Sequence, residues 1–238
     1  MKVISWNLNH RTLEKRIPSG VTEFLERHSP DLAFFNEFVD GDSRSVFFEN
    51  INSLGYKHQI FTPKIKGVNQ ILAISKTQIS KLGWLASTQD IHAQNNFLAV
   101  EHEASGIRFI AFRMPSYEVA KDRNLFREIL GLLLALKSDE KVICLGDWNE
   151  DPFRRTRGKK WYQLDGYTVL KPEGDWSYIS PNGNKRSRID NVMVSEDLKD
   201  AKARYLVEYG GILLAGPSRS GAVSDHAVLE VVITGSGL

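Results

Sequence analysis

Val142-Ile143-Cys144-Leu145 is an apolar run that stops at Gly146 and gives way at once to Asp147, Trp148, Asn149, Glu150 and Asp151. An apolar run with a turn residue behind it suits a strand covered on both faces, so the fold needs layers on either side of a sheet. The 238 residues can bury a core of that size in one domain spanning 1–238. If the extended geometry persists, Asp147 and Asn149 point the same way, because side chains alternate at period two. A carboxylate beside a carboxamide can hold a water, a metal or a phosphate oxygen. Standing alone, such a Gly-Asp-Trp-Asn is better explained as an Asx-type turn closing a strand.

The same pattern, an apolar strand with a polar tip, recurs along the chain. Lys2 to Asn7 is a short strand closed by Asn7-Leu8-Asn9-His10. Val21, Phe24, Leu25 and His28 recur at helical spacing, which predicts a helix over about Gly20 to Arg27, stopped by Ser29-Pro30. Asp31-Leu32-Ala33-Phe34-Phe35-Asn36-Glu37 reads as a second buried strand ending on a charge, and the strand-helix-strand opening sets two polar tips side by side. A helix over Ser43 to Leu54, with Gly55 behind it, precedes short strands at Tyr56 to Thr62, Gln70 to Ser75, Ile79 to Ala86, Phe97 to Glu103 and Ile107 to Arg113. Turn-like clusters separate them, Glu103-Ala104-Ser105-Gly106 among them, which points to mixed sheets. Asn124 to Lys137 is the longest helical pattern and leads into the Val142 run. Trp161 to Tyr167 fits a short helix or coil; Ser187 to Val194 is a strand with Asp190 among apolar neighbours; Lys202 to Glu208 is another; Ala227 to Ile233 follows Ser224-Asp225-His226.

Composition narrows the classes. No stretch reaches the roughly 18 apolar residues of a membrane span, and Met1-Lys2 runs straight into Val3-Ile4-Ser5-Trp6 without the apolar core of a secretory signal, so a cytoplasmic location is expected. The single cysteine, Cys144, rules out an internal disulfide and a cysteine-based metal cluster. A net charge of +2 is too mild to demand a polyanionic partner, but its distribution is uneven. Arg154, Arg155, Arg157, Lys159 and Lys160 form one basic loop and Lys185-Arg186-Ser187-Arg188 another, and they flank the acidic tips at Asp147 to Asp151 and at Asp190. That favours a phosphate-bearing substrate.

Polar termini thus stand at Asn7, at Glu37, at Asp147 with Asn149, at Asp190 and at Asp225 with His226. Singly each has a structural explanation: a turn cap for Asn7, a surface lysine for Glu37, a salt bridge to Arg188 for Asp190, a satisfied core position for His226. Together they resemble the endonuclease/exonuclease/phosphatase superfamily, which includes exonuclease III, abasic-site endonucleases, DNase I and inositol polyphosphate 5-phosphatases. The matching pieces, in the family's order and spanning nearly the whole chain, are Ile4-Ser5-Trp6-Asn7, Asp31 to Glu37, Gly146-Asp147-Trp148-Asn149, Arg188-Ile189-Asp190 and Ser224-Asp225-His226. Trp176-Ser177-Tyr178 also looks like the aromatic segment of the abasic-endonuclease and exonuclease III branch.

The resemblance implies an α/β, DNase I-like fold: a four-layer sandwich of two packed mixed β-sheets flanked by helices, with the site where strand tips converge. It also implies hydrolysis of a phosphoester with a divalent metal, magnesium normally and manganese as the alternative, by a monomer. Residue by residue, Glu37 matches the metal-binding carboxylate, with Asn7 beside it and Asp225 behind it or on a second ion. Asp147 orients or deprotonates the attacking water, Asn149 donates to the phosphate, His226 binds the phosphate, and Asp190 fixes the far nitrogen of His226. Where relatives present a histidine or tyrosine to the phosphate, this chain has Arg113, whose fork can grip two phosphate oxygens. Arg154, Arg155, Lys185 and Trp176 are the expected substrate contacts, with Trp148 and Trp161 as further stacking surfaces. A nuclease acting on DNA or RNA is the first functional reading. The others are a phosphatase of a sugar, inositol or lipid headgroup, and a binding module of the same fold without turnover.

Overall fold

The computed structural model describes residues 1–10, 17–41, 44–66, 68–83, 91–116, 120–135, 140–154 and 161–234. Strands β1 (Lys2–Asn7), β2 (Leu32–Phe38), β3 (His58–Phe61), β4 (Gln70–Ser75), β5 (Ile79–Lys81), β6 (Phe97–His102), β7 (Ile107–Arg113) and β8 (Val142–Asp147) occupy the first two thirds of the chain. They are followed by β9 (Tyr167–Leu170), β10 (Tyr178–Ile179), β11 (Arg186–Ser187), β12 (Asp190–Ser195), β13 (Lys202–Leu206), β14 (Glu208–Tyr209), β15 (Ile212–Leu213) and β16 (Val228–Val232). Four helices, α1 (Ser19–His28), α2 (Ser45–Ser53), α3 (Ile91–Asn96) and α4 (Ala120–Ala135), interrupt them.

Twelve of these strands build two six-stranded mixed sheets, in the orders β13-β16-β1-β2-β4-β3 and β5-β6-β7-β8-β12-β9, while β10 pairs with β11 and β14 with β15. Alternation along each central strand explains why both faces are apolar. On β8, Ile143 and Leu145 enter the core between the sheets, where they meet Val3, Leu32 and Phe34 of the other sheet. Val142 and Cys144 point the other way, into the layer shared with Phe126, Leu130 and Leu134 of α4. On the far side, Ile4 and Trp6 of β1 and Phe35 of β2 pack against Val21, Phe24 and Leu25 of α1 and Phe47 and Ile51 of α2. The result is the expected four-layer sandwich, helix on sheet on sheet on helix.

Several expectations shift in detail. The helix expected from Asn124 begins at Ala120, and its buried stripe is Phe126, Leu130 and Leu134 at i, i+4 spacing, while Leu125 stands 38% exposed. The strand expected over Ser187 to Val194 is two strands, β11 and β12, broken at Arg188-Ile189, so Asp190 opens a strand instead of lying inside one. Trp161 to Tyr167 is mostly turn, anchored by the buried Tyr162. α3 has no counterpart among the expected helices. Among the described residues, no helix is long and apolar enough to cross a membrane.

Candidate active site

Topology brings three strand ends of each sheet to one edge. β1 and β2 run parallel with Asn7 level with Asn36, next to Glu37, and β16 runs against β1, so His226 just before its start arrives at the same edge. β7 and β8 run parallel with Arg113 opposite Asp147, and β12 runs against β8 with Asp190 opposite Asp147. At this edge the side chains of Asn7 and His226 reach from one sheet to the other. Asn7 Nδ2 donates to Asp147 Oδ2 at 3.0 Å and to Glu37 Oε1 at 3.3 Å. His226 Nδ1 lies 2.8 Å from Asp190 Oδ2, while its Nε2 is 3.9 Å from Asp225 Oδ1. Ser224 locks the His226 loop to β1, with Oγ donating to Asn7 O at 2.7 Å and accepting from His226 N at 3.1 Å.

The backbone is bent to aim these groups. Of the five non-glycine residues with positive φ among the described residues, Asn9, His10, Glu37 and Asn149 lie here, so strain is concentrated at this edge. Glu37 sits at 55° where the β2–β4 register slips between Phe35 and Phe38, and that irregularity turns its carboxylate toward β1 and β7. Gly146 (φ 143°) lets β7 come close: a Cβ there would meet Phe112 O at 1.9 Å.

Asp147 and Asn149 meet by a different route from the one alternation suggests. β8 ends at Asp147, Asn149 turns back at φ 49°, and its N–H donates to Asp147 Oδ1 at 2.9 Å. This is the Asx turn, and it carries the site as well. Asn149 Nδ2 donates to Met114 O at 2.8 Å and to Asp147 Oδ2 at 3.2 Å, so in this structure the amide props the Asp147 carboxylate instead of presenting its donors to a phosphate.

Charge is arranged unequally over the buried carboxylates. Burial would raise Glu37, but the hydrogen bond from His10 and the nearby Arg113 cation outweigh it and bring its pKa down to about 2. His10 is in turn raised by Glu37. Asp147 goes the other way: burial and the repulsion of Asp190 push it up to about 6, against the pull of His226 and Arg113. Burial disfavours the charged form of His226, yet the attraction and hydrogen bond of Asp190 prevail and raise it to about 10. The site therefore holds at neutral pH a fixed carboxylate, a carboxylate able to take a proton, and an imidazolium.

Arg113 ion-pairs with Glu37, Nε to Oε1 at 2.8 Å, and lies 3.9 Å from Asp147 Oδ2. Asn7, Glu37, Arg113, Asp147, Asn149, Asp190, Asp225 and His226 are thus gathered at one edge. Trp176 packs against the inter-sheet core with the Arg186 guanidinium 5.2 Å above its ring, so one stacking face is taken. Trp148 is fully buried and so is closed to stacking with a substrate, and the half-buried Trp161 packs on it in the α4 layer. Lys185 and Arg154 are exposed, and Arg155 lies outside the described residues. Arg188 turns to Asp175 and Gly174 O, leaving Asp190 to His226. Three contributors were given no site role by the sequence. His10 Nε2 sits 2.8 Å from Glu37 Oε2, the Tyr178 ring packs 5.0 Å from that of His226, and Ser177 Oγ accepts from the backbone N–H groups of Ile189 and Asp190. His10 could have been suspected from the polar strand end Asn7 to His10; Tyr178 opens a two-residue strand too short to show a period, and Ser177 directly precedes it.

Beside this cluster opens a cavity of about 610 Å³, lined by His10, Asp40, Lys64, Lys66, Asn69 and Arg113 among others. For a divalent cation the donors on offer are hard oxygens, led by the ionised Glu37, with Asn7 and Asp225 near. Among the described residues no three His, Cys, Asp or Glu side chains cluster tightly enough to cage a metal. One or two carboxylates with retained waters is the coordination magnesium favours, so the donor set fits that ion.

A family model described as the Endonuclease/Exonuclease/phosphatase family matches residues 4–226. No curated protein matches the chain. Among solved structures, a 3′–5′ exonuclease from Neisseria meningitidis is 22% identical, with a TM-score of 0.72 over 99% of this chain and 100% of that one. An AP endonuclease from Archaeoglobus fulgidus is 16% identical with the same score and the same coverage. TDP2 from Caenorhabditis elegans, in a truncated form, is 15% identical with a TM-score of 0.66, over 98% of this chain and 97% of that one. At these identities the likeness is one of fold.

Proposed function

The chain belongs to the endonuclease/exonuclease/phosphatase family, and from that premise we propose that it is a divalent-metal-dependent phosphodiesterase acting on nucleic acid, DNA before RNA. The observation that carries the reading is the meeting of Glu37, Asn7 and His226 from one sheet and Asp147 with Asp190 from the other at a single edge. The names of the structural neighbours, a 3′–5′ exonuclease and an AP endonuclease, support DNA as the substrate class. So does the surplus of cations, Lys64, Lys66 and Arg113, around the adjoining cavity. The inter-sheet core draws on residues from Val3 to Ile233, which supports a single domain.

Hydrolysis needs a water activated opposite a leaving oxygen and neutralisation of the anionic phosphorus centre. Asp147, steadied by Asn7 and Asn149, accepts the proton of the attacking water. Protonated His226, held through Nδ1 by Asp190, offers Nε2 to a phosphate oxygen. Arg113 grips the phosphate from the β7 side. A magnesium ion held by Glu37, with Asn7 and Asp225 beside it, would supply further charge neutralisation. A panel of single- and double-stranded DNA, abasic DNA, RNA, inositol phosphates and bis-p-nitrophenyl phosphate, each with magnesium and with EDTA, tests this. Magnesium-dependent cleavage of DNA, with affinity falling steeply as salt rises, is expected. Turnover confined to inositol phosphates with little salt response would move the substrate to small phosphoesters. Inertness on every substrate with metal present would leave a binding module.

A further inference from the structure

Both oxygens of Glu37 already face side-chain nitrogens: Arg113 Nε stands 2.8 Å from Oε1 and His10 Nε2 2.8 Å from Oε2. The Arg113 contact is held by charge and not by an aligned hydrogen bond, since Nε is buried without a hydrogen-bond acceptor. The same atom is 3.9 Å from Asp147 Oδ2, so the guanidinium lies between the two carboxylates that flank the reaction centre. Arg113 also lines the cavity that holds His10, Lys64 and Lys66. A guanidinium fork suits carboxylate and phosphate alike, and an anion entering that cationic cavity competes with Glu37 for it.

We propose that Arg113 is an exchangeable counter-ion of Glu37: a phosphate arriving in the cavity draws the guanidinium away and leaves the carboxylate to a divalent cation, so that anion and cation bind cooperatively. This rests on the metal-dependent reading above. Without phosphate a cation must displace Arg113 from Glu37; with phosphate that competition has already been relieved. Linkage requires the effect to be reciprocal, so bound cation tightens phosphate binding by the same factor. The substitution of arginine at this strand end therefore makes cation loading depend on substrate.

The test is equilibrium binding, independent of turnover. Mn2+ affinity of the full chain is measured by electron paramagnetic resonance with and without inorganic phosphate, corrected for Mn2+ bound to phosphate in solution. In the wild type, phosphate is expected to tighten Mn2+ by about tenfold or more, within the usual range of coupling between sites. Calorimetric titration of phosphate should show the same factor when Mn2+ is present. Arg113→Ala, checked for folding by circular dichroism, should bind Mn2+ about tenfold more tightly without phosphate and lose most of the coupling, while Arg113→Lys keeps part of both. Coupling that persists unchanged in Arg113→Ala would mean that phosphate and metal simply touch, and would overturn the proposal while leaving the phosphodiesterase reading intact. Absence of coupling in the wild type overturns it without recourse to any variant. If neither protein binds Mn2+, the metal-dependent reading falls with it.

Discussion

Asp147 and Asp190 stand directly opposite each other on neighbouring strands, and only Asp190 has a cation within hydrogen-bonding distance, His226 Nδ1 at 2.8 Å. Two buried like charges in register separate their roles: Asp190 stays committed to the imidazole, and Asp147, repelled and desolvated, rises to about 6. A general base is most useful when its pKa lies near the working pH, so this antagonism suits Asp147 for proton transfer.

Asp147→Asn should therefore separate activity from stability. Turnover is expected to fall by at least about 10³-fold, because an amide takes no proton from water. Stability should rise at pH 7. A carboxyl whose folded-state pKa is raised lends stability only below its ordinary value, and that contribution is lost as pH climbs through about 6. The variant avoids the loss, so its melting temperature should exceed that of the wild type at pH 7, with the gap closing near pH 4. A lower melting temperature at pH 7 would show that the carboxylate is not strained.

Asp190→Asn tests the other member of the pair. The raised His226 pKa, about 10, rests chiefly on the Asp190 carboxylate overcoming burial. With the charge removed and the hydrogen bond retained, burial should dominate and His226 should titrate well below 10. The stability this pairing lends is full below pH 6.5 and lost as pH rises through about 10, so the variant should be less stable at pH 7 and converge with the wild type in strong alkali. Histidine nuclear magnetic resonance titration checks the shift, and the alkaline limb of the pH–rate profile should move with it.

Gly146 supplies a purely steric prediction. An added methyl would lie 1.9 Å from Phe112 O, on the strand that carries Arg113. Gly146→Ala should push β7 and β8 apart, cost about 3 kcal/mol in denaturant unfolding and weaken catalysis with no change in site charges. Wild-type stability in this variant would mean that the ladder accommodates the methyl.

The site was legible from sequence because each group sits at the end or start of an apolar strand, and strand direction decides which. β1, β2, β7 and β8 deliver Asn7, Glu37, Arg113 and Asp147 at or near their C-terminal ends, while β12 and β16 run the opposite way, which is why Asp190 opens a strand and His226 precedes one. Local turn geometry was not legible in this way. The bulge that aims Glu37 and the approach of His10 depend on tertiary partners that no period in the sequence records, whereas the turn at Asn149 is the Asx turn that the Gly-Asp-Trp-Asn run suggested. Trp148 follows Asp147 in the motif but points into the α4 layer, because the turn that aims the carboxylate at the site buries its neighbour on the opposite face. Substrate contacts expected from charge runs alone at Arg154 and Lys185 remain on exposed loops, while the cations lining the cavity are Lys64, Lys66 and Arg113.

Glu37→Gln probes the carboxylate that lies between Arg113 and His10. Its pKa of about 2 means that the ionised form lends stability that is full above pH 4.5 and lost as pH falls through about 2. The amide keeps the shape but cannot hold Arg113 and His10 by charge, and it leaves the buried Arg113 Nε with Asp147 alone, 3.9 Å away. Because His10 and Arg113 are partly exposed, solvent softens the loss to about 1–3 kcal/mol at pH 7. The difference from the wild type should shrink steadily as the solution is acidified toward pH 2. Magnesium should raise the melting temperature of the wild type and leave that of the variant unmoved, since a ligand stabilises only the state that binds it. An equal rise in both proteins would place the cation away from Glu37.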